Sequence, residues 1–293
     1  MSTESSTSSY ASAEPSPQRP VVDVDWLAAH LGDAGLVVLD ASIPPNDPGG
    51  LRIPGARRFD LEGAFSAPDA PLPHTMPTPE AFQAEARRLG VRDGGTVVVY
   101  DIHDVYSAAR AWWMFRAMGL DRVWLLDGGL EGWEEAQREV EPIDAAEATR
   151  DDGGDFVARP VPGAIVDADA VAAALAGDEV AVVDARSATR FAGTASEPRP
   201  GLRSGHMPGA GNLPYLDVQT DGHLMAPDGL APLVEAAAGG RDRVIFTCGS
   251  GVTACVAALA SVLAGRDPGR LAVYDGSWTE WGAEQSGRPV ESA

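Results

Sequence analysis

The chain predicts an α/β architecture: two copies of a parallel sheet in tandem, each with helices on both faces. Three observations point there. Short runs rich in Val, Ile and Leu alternate with helical patterns along the chain. Those runs are apolar throughout rather than at every second residue, which suits strands buried on both faces. Finally, four pieces of sequence recur in the same order in the two halves, the mark of an internal duplication.

The first piece is Val37-Val-Leu-Asp40-Ala-Ser, answered by Val182-Val-Asp184-Ala-Arg. Ile53-Pro-Gly-Ala56 is answered by Met207-Pro-Gly-Ala210, and Val97-Val-Val-Tyr-Asp101 by Val244-Ile-Phe-Thr-Cys248. Last, Leu126-Asp-Gly-Gly-Leu-Glu-Gly-Trp133 is answered by Tyr274-Asp-Gly-Ser-Trp-Thr-Glu-Trp281. Strands are expected at Val37–Asp40, Val97–Asp101 and Val123–Leu126, then at Val180–Asp184, Val244–Cys248 and Leu271–Tyr274. Helices are expected over Pro79–Leu89, Ala108–Met118, Ala168–Leu175 and Val252–Leu263. Trp112 and Trp113, at a helix centre, read as core. A disordered Ser/Thr-rich tail takes residues 1–20 and the first domain 21–140. An Asp/Gly/Ala/Pro-rich linker takes 141–163, and the second domain 164–293.

Composition narrows the function. The 293 residues carry 22 basic and 43 acidic side chains, a net charge of −21. Such a surface repels polyanions, so nucleic acid is not an expected partner. All the basic residues are arginine. Without lysine there is no Walker-type phosphate contact and no Schiff base for pyridoxal phosphate; no cofactor and no metal are expected. Two cysteines fit a reducing compartment rather than a disulfide framework. The N-terminus lacks the basic flank and apolar stretch of a secretory signal, and no run approaches the roughly 18 apolar residues of a membrane span. A cytoplasmic enzyme is expected.

One stretch carries the chemistry. An apolar run ends on Cys248, a glycine-bearing loop Gly249-Ser-Gly-Val-Thr253 follows, and an apolar helical pattern begins. Backbone N–H groups of such a loop and the helix dipole both favour negative charge there, so the cysteine is placed to react as its thiolate. Gly249 and Gly251 let the loop curl with its amides inward. The amides of Gly249, Gly251, Val252 and Thr253 then become candidate anion donors. Thr253 could equally cap the helix. Cys255, at helical spacing with Leu259 and Val262, reads as an inert core thiol. Asp101 stands where the second half has Cys248, so the first copy, which lacks the thiol, is expected to be catalytically silent.

Cys248-Gly-Ser-Gly-Val-Thr253, Tyr274-Asp-Gly-Ser-Trp-Thr-Glu-Trp281 and the two-copy layout resemble the tandem-domain sulfurtransferases of the rhodanese superfamily. The two domains are therefore expected to be rhodanese-like. Within the superfamily the closer likeness is to 3-mercaptopyruvate sulfurtransferases. In thiosulfate sulfurtransferases the two residues after the cysteine are typically basic, whereas here they are Gly249 and Ser250. The resemblance implies that a Cys248 persulfide forms from a small-molecule donor. Sulfur then passes to thioredoxin, another thiol or cyanide, and pyruvate is released.

It also implies a relay in which His74, from a proline-rich loop of the first half, supports Ser250. An acidic residue would complete the relay: Glu62, with Asp60 as the alternative. Arg190 and Arg199 match carboxylate-binding arginines of that family, their alternative being surface ion pairs. Arg186 is expected to tie the sheet to a loop. A cysteine phosphatase, which shares this fold, would need arginine six residues after the cysteine; Ala254 stands there. A thiosulfate-preferring transferase and a non-catalytic persulfide carrier remain the alternatives.

Overall fold

The computed structural model describes residues 14–44, 50–102, 105–143 and 151–292. In the first half, β1 (Val21–Val22), α1 (Val24–His30), β2 (Leu36–Asp40), β3 (Leu51–Arg52) and β4 (Arg57–Arg58) come first. They are followed by α2 (Pro79–Arg88), β5 (Thr96–Tyr100), α3 (Ala108–Ala117), β6 (Val123–Leu126), α4 (Gly129–Glu135) and β7 (Glu141–Pro142). The second half opens with β8 (Ile165–Val166), α5 (Ala168–Leu175), β9 (Val180–Asp184), α6 (Ala188–Phe191) and β10 (Gly211–Asn212). Next come β11 (Gln219–Thr220), β12 (His223–Leu224), α7 (Pro227–Ala238), β13 (Arg243–Thr247), α8 (Ala254–Leu263), β14 (Leu271–Tyr274) and α9 (Ser277–Trp281).

The two main sheets have orders β1-β6-β5-β2-β4 and β8-β14-β13-β9-β10. Every neighbouring pair in both is parallel. Position by position these are one topology, so the repeated motifs reflect a duplicated fold. Local chemistry sets the helix starts. Asp23 accepts the Trp26 amide at 2.7 Å, Thr78 accepts that of Ala81, and Asp167 those of Asp169 and Ala170. Pro79 and Pro227 occupy opening turns, where a missing N–H costs nothing.

α8 is buried along its whole length, as expected of a helix apolar on every side. It packs against α3 from the first domain and against α7. One continuous hydrophobic cluster runs from Val21 to Val273 through both halves and includes Trp112 and Trp113. The loop around His74 and the small β11–β12 hairpin both reach across between the domains. Among the described residues, no helix is long and apolar enough to cross a membrane.

Residues 1–13 of the expected tail lie outside the described residues. Residues 14–20 are ordered against the fold: Ser16 and Arg19 bond each other's backbone, and the Pro20 carbonyl accepts the Leu125 amide. The expected linker 141–163 is also packed down. Its first two residues pair with β3, and residues 144–150 lie outside the described residues. Beyond them Phe156 is buried against Phe82 and Phe115, and the Met118 carbonyl accepts the Arg159 amide. The polar average of this stretch conceals one aromatic anchor. Phe156→Ala should therefore cost about 3–5 kcal/mol of stability in chemical denaturation. A loss near zero would mean that the segment is only a tether.

Candidate active site

Cys248 directly follows β13, at the carboxyl edge of the sheet where open α/β folds bind ligands. Its own amide donates to Ser277 Oγ at 3.1 Å, and its carbonyl accepts the Trp278 amide. Ser277 Oγ donates to the Tyr274 carbonyl, and Ser277 holds a left-handed backbone at φ 47°. The base of the loop is thus clamped to the turn after β14. Beyond the clamp the loop turns at Gly251, φ 78°. A β-carbon there would lie 3.0 Å from the Asp275 carbonyl, so glycine is required on two counts. Among the described residues, no protein acceptor takes the N–H groups of Gly249, Ser250, Gly251, Val252 or Thr253. Buried amides are almost always paired, so this crescent is chemically able to meet an anion.

The helix begins at Ala254, two residues later than the sequence suggests, because Val252 and Thr253 belong to the crescent. Thr253 makes no side-chain cap bond. Cys248 itself is only 2 % exposed, enclosed by the first domain. Tyr106 and Tyr215, one from each domain, meet edge to face at 5.7 Å. Cys255 is different: burial pushes its thiol up to about 12, and its Sγ donates to the Gly251 carbonyl.

His74 reaches the loop from the first domain. Its Nδ1 lies 3.0 Å from Ser250 Oγ, and its Nε2 lies 2.9 Å from Glu62 Oε1. A carboxylate can only accept, so Nε2 carries the proton and Nδ1 accepts the serine hydroxyl. Between the two acidic alternatives, the contact falls to Glu62. Asp60 is spent on its own turn, accepting the amides of Gly63 and Ala64.

Arg190 and Arg199 both stand over the loop. A β-carbon on Gly249 would lie 3.3 Å from Arg190 Nη2 and 3.9 Å from Arg199 Nη1. Arg190 is steered by Glu197, through Nε at 3.1 Å and Nη2 at 2.6 Å. Glu197 is held from behind by the fully buried Arg186, which also grips Asp184 and stacks on Trp278. Arg186 thus makes the expected tie between sheet and loop. Arg199 is exposed and forms no ion pair among the described residues.

The first domain shows the same loop already filled. Asp101 Oδ2 accepts the amides of Tyr106, Ser107 and Ala108 at 2.7–2.9 Å. Its carboxylate sits where an anion would bind. No role was assigned from sequence to Arg110, Asp275 and Ser277, which meet around the thiol loop; the matched Asp127 and Asp275, in a motif that also holds Ser277, were a signal for the last two.

A sequence profile of the rhodanese-like domain matches residues 23–136 and 167–284. The chain is 40 % identical over 280 residues to 3-mercaptopyruvate sulfurtransferase of Escherichia coli (strain K12), covering 92 % of this chain and 97 % of that one. It is 36 % identical over 310 residues to thiosulfate/3-mercaptopyruvate sulfurtransferase 1, mitochondrial, of Arabidopsis thaliana, over 97 % of this chain and 81 % of that one. A crystal structure of a 3-mercaptopyruvate sulfotransferase from Escherichia coli matches with a TM-score of 0.76 at 36 % identity, covering 88 % of this chain and 98 % of that one. With two such domains and relatives this similar along nearly its full length, the chain belongs to the rhodanese family and is an enzyme of sulfur transfer.

Proposed function

We propose that this enzyme takes sulfur from 3-mercaptopyruvate, carries it as a persulfide on Cys248, and passes it to a thiol such as thioredoxin or to cyanide. The observation that carries this reading is the chain Ser250–His74–Glu62 beside the thiol. 3-Mercaptopyruvate brings a proton on its sulfur, and its carbon leaving group must receive one. Thiosulfate poses neither task. A proton path at the thiol therefore favours the mercaptan donor.

In the transfer step, the Cys248 thiolate attacks the donor sulfur. The new S–S bond forms as the donor's C–S bond breaks, and its electron pair leaves as the enolate of pyruvate. The donor's S–H proton moves by way of Ser250 and His74 to the enolate carbon. This leaves an anionic persulfide on Cys248 and free pyruvate, with Glu62 stabilising the transient imidazolium. The crescent from Gly249 to Thr253 holds the persulfide charge. Arg190 and Arg199 grip the 2-oxo acid carboxylate above Gly249. An acceptor thiolate then attacks the outer sulfur and releases the Cys248 thiolate.

Thiosulfate is the second reading. Two guanidinium groups over the loop also suit a sulfonate-like anion, and the Arabidopsis relative carries both donors in its name. The specificity constants for the two donors decide between them; a higher value for thiosulfate would overturn the proposal.

Cys248→Ser should abolish transfer from either donor and leave the intact protein without a one-sulfur mass adduct after donor treatment. An adduct retained in that variant would move the chemistry to another residue. Arg199→Ala should lower kcat/KM for 3-mercaptopyruvate about tenfold to a hundredfold, the worth of a charge-assisted hydrogen bond, and affect thiosulfate less. Equal losses with both donors would point to a structural role. His74→Ala should cut mercaptopyruvate turnover by about 10²-fold or more, with the thermal transition unchanged. Full activity in that variant would remove the proton path from the mechanism.

A further inference from the structure

Arg110 lies on α3, in the domain that has no thiol, and its side chain is completely buried. A guanidinium out of water is stabilised by the partners that match its donors; Nε has none among the described residues, and the partners of the two Nη groups all lie around the second domain's thiol. Nη2 donates to Asp275 Oδ1 at 2.6 Å and to the His74 carbonyl at 2.8 Å; Nη1 lies 3.5 Å from the Gly251 carbonyl. The other oxygen of Asp275 accepts the Met76 amide at 2.8 Å. One guanidinium–carboxylate pair therefore grips the His74 segment on both sides of Thr75 while resting against the thiol loop.

That grip meets a need. His74 has φ 59°, a left-handed backbone that a residue with a β-carbon adopts only when its surroundings impose it. From this conformation the imidazole faces Ser250 on one nitrogen and Glu62 on the other. The side chain of Glu62 is 55 % exposed, so solvent-facing contacts alone do not fix the ring.

The duplicated fold repeats part of the arrangement. Asp127, the counterpart of Asp275, also reaches across the interface. It accepts the Leu224 amide at 2.9 Å and faces His223 Nδ1 at 3.0 Å. Both aspartates tie down a crossing segment of the other domain. Asp275 does so together with an arginine that also holds the backbone of a residue touching the thiol loop.

We propose that Arg110 is the positioning residue for His74: paired with Asp275, it fixes the left-handed backbone that aims the imidazole at Ser250. The catalytic consequence, though not the geometry, rests on the proton path proposed above.

The test uses the full chain with Arg110→Met, and with Arg110→Met/Asp275→Asn, which removes both buried charges together and keeps a folded comparison should the single variant fail. Heteronuclear NMR of the histidine ring nitrogens reads the geometry, with His74 assigned from the His74→Ala spectrum. The parent protein should show one fixed tautomer at His74, and the variants an averaged pattern. Turnover of 3-mercaptopyruvate should fall about 10²-fold. Adding His74→Ala in the variant background should then cost little more, since the two changes disable one device.

Unchanged His74 ring signals would overturn the proposal whatever happens to turnover, and so would fully additive losses. An averaged ring with undiminished turnover would uphold the positioning role and remove the proton path instead.

Discussion

The site is organised around a row of amide donors that find no acceptor among the described residues. The N–H groups from Gly249 to Thr253 belong to buried or half-buried residues, where an unpaired donor costs about 1–3 kcal/mol. The duplicated fold displays the two ways of meeting that cost. In the first domain Asp101 supplies an internal carboxylate and closes the loop on itself. In the second the strand ends on a thiol, and the amides of the loop meet no acceptor among the described residues. The two copies thus differ in whether a side chain of the loop itself fills it.

The cationic side of the cleft is organised from beneath. Arg186 is buried between Asp184 and Glu197, and such a network stands only if every partner is matched. Its product is directional: Glu197, fixed on one oxygen by Arg186, turns Arg190 toward Gly249. Arg190 thereby loses part of its fork to a protein carboxylate. Arg199 forms no ion pair among the described residues. The two arginines thus differ: one is preset by a protein carboxylate and the other is not.

Much of this was legible in the sequence, and the exceptions share a physical cause. The strands came through because a parallel strand buried on both faces is apolar at every position, as Val97 to Tyr100 and Val180 to Val183 are. Cys248 came through because a thiol, glycines and a helix in immediate succession form a local pattern. Arg110 and Asp275 stayed hidden: they are 165 residues apart, and a buried arginine in a helix reads as a surface charge. Phe156 was masked by polar neighbours although one aromatic was enough to pin the segment. Choosing between Asp60 and Glu62 needed the turn itself. Asp60 is short enough to bond the amides of Gly63 and Ala64, which leaves the longer Glu62 to reach the imidazole.

The candidate site is divided between the two domains. The first domain brings His74 across the loop, Tyr106 against Tyr215, and Arg110 beneath Gly251. Because the units are copies, the aspartate after the last sheet strand reaches across the interface from both sides, as Asp127 and as Asp275. In the second domain that aspartate meets Arg110, whose charge persists at every working pH and whose Nη2 also donates to the His74 carbonyl.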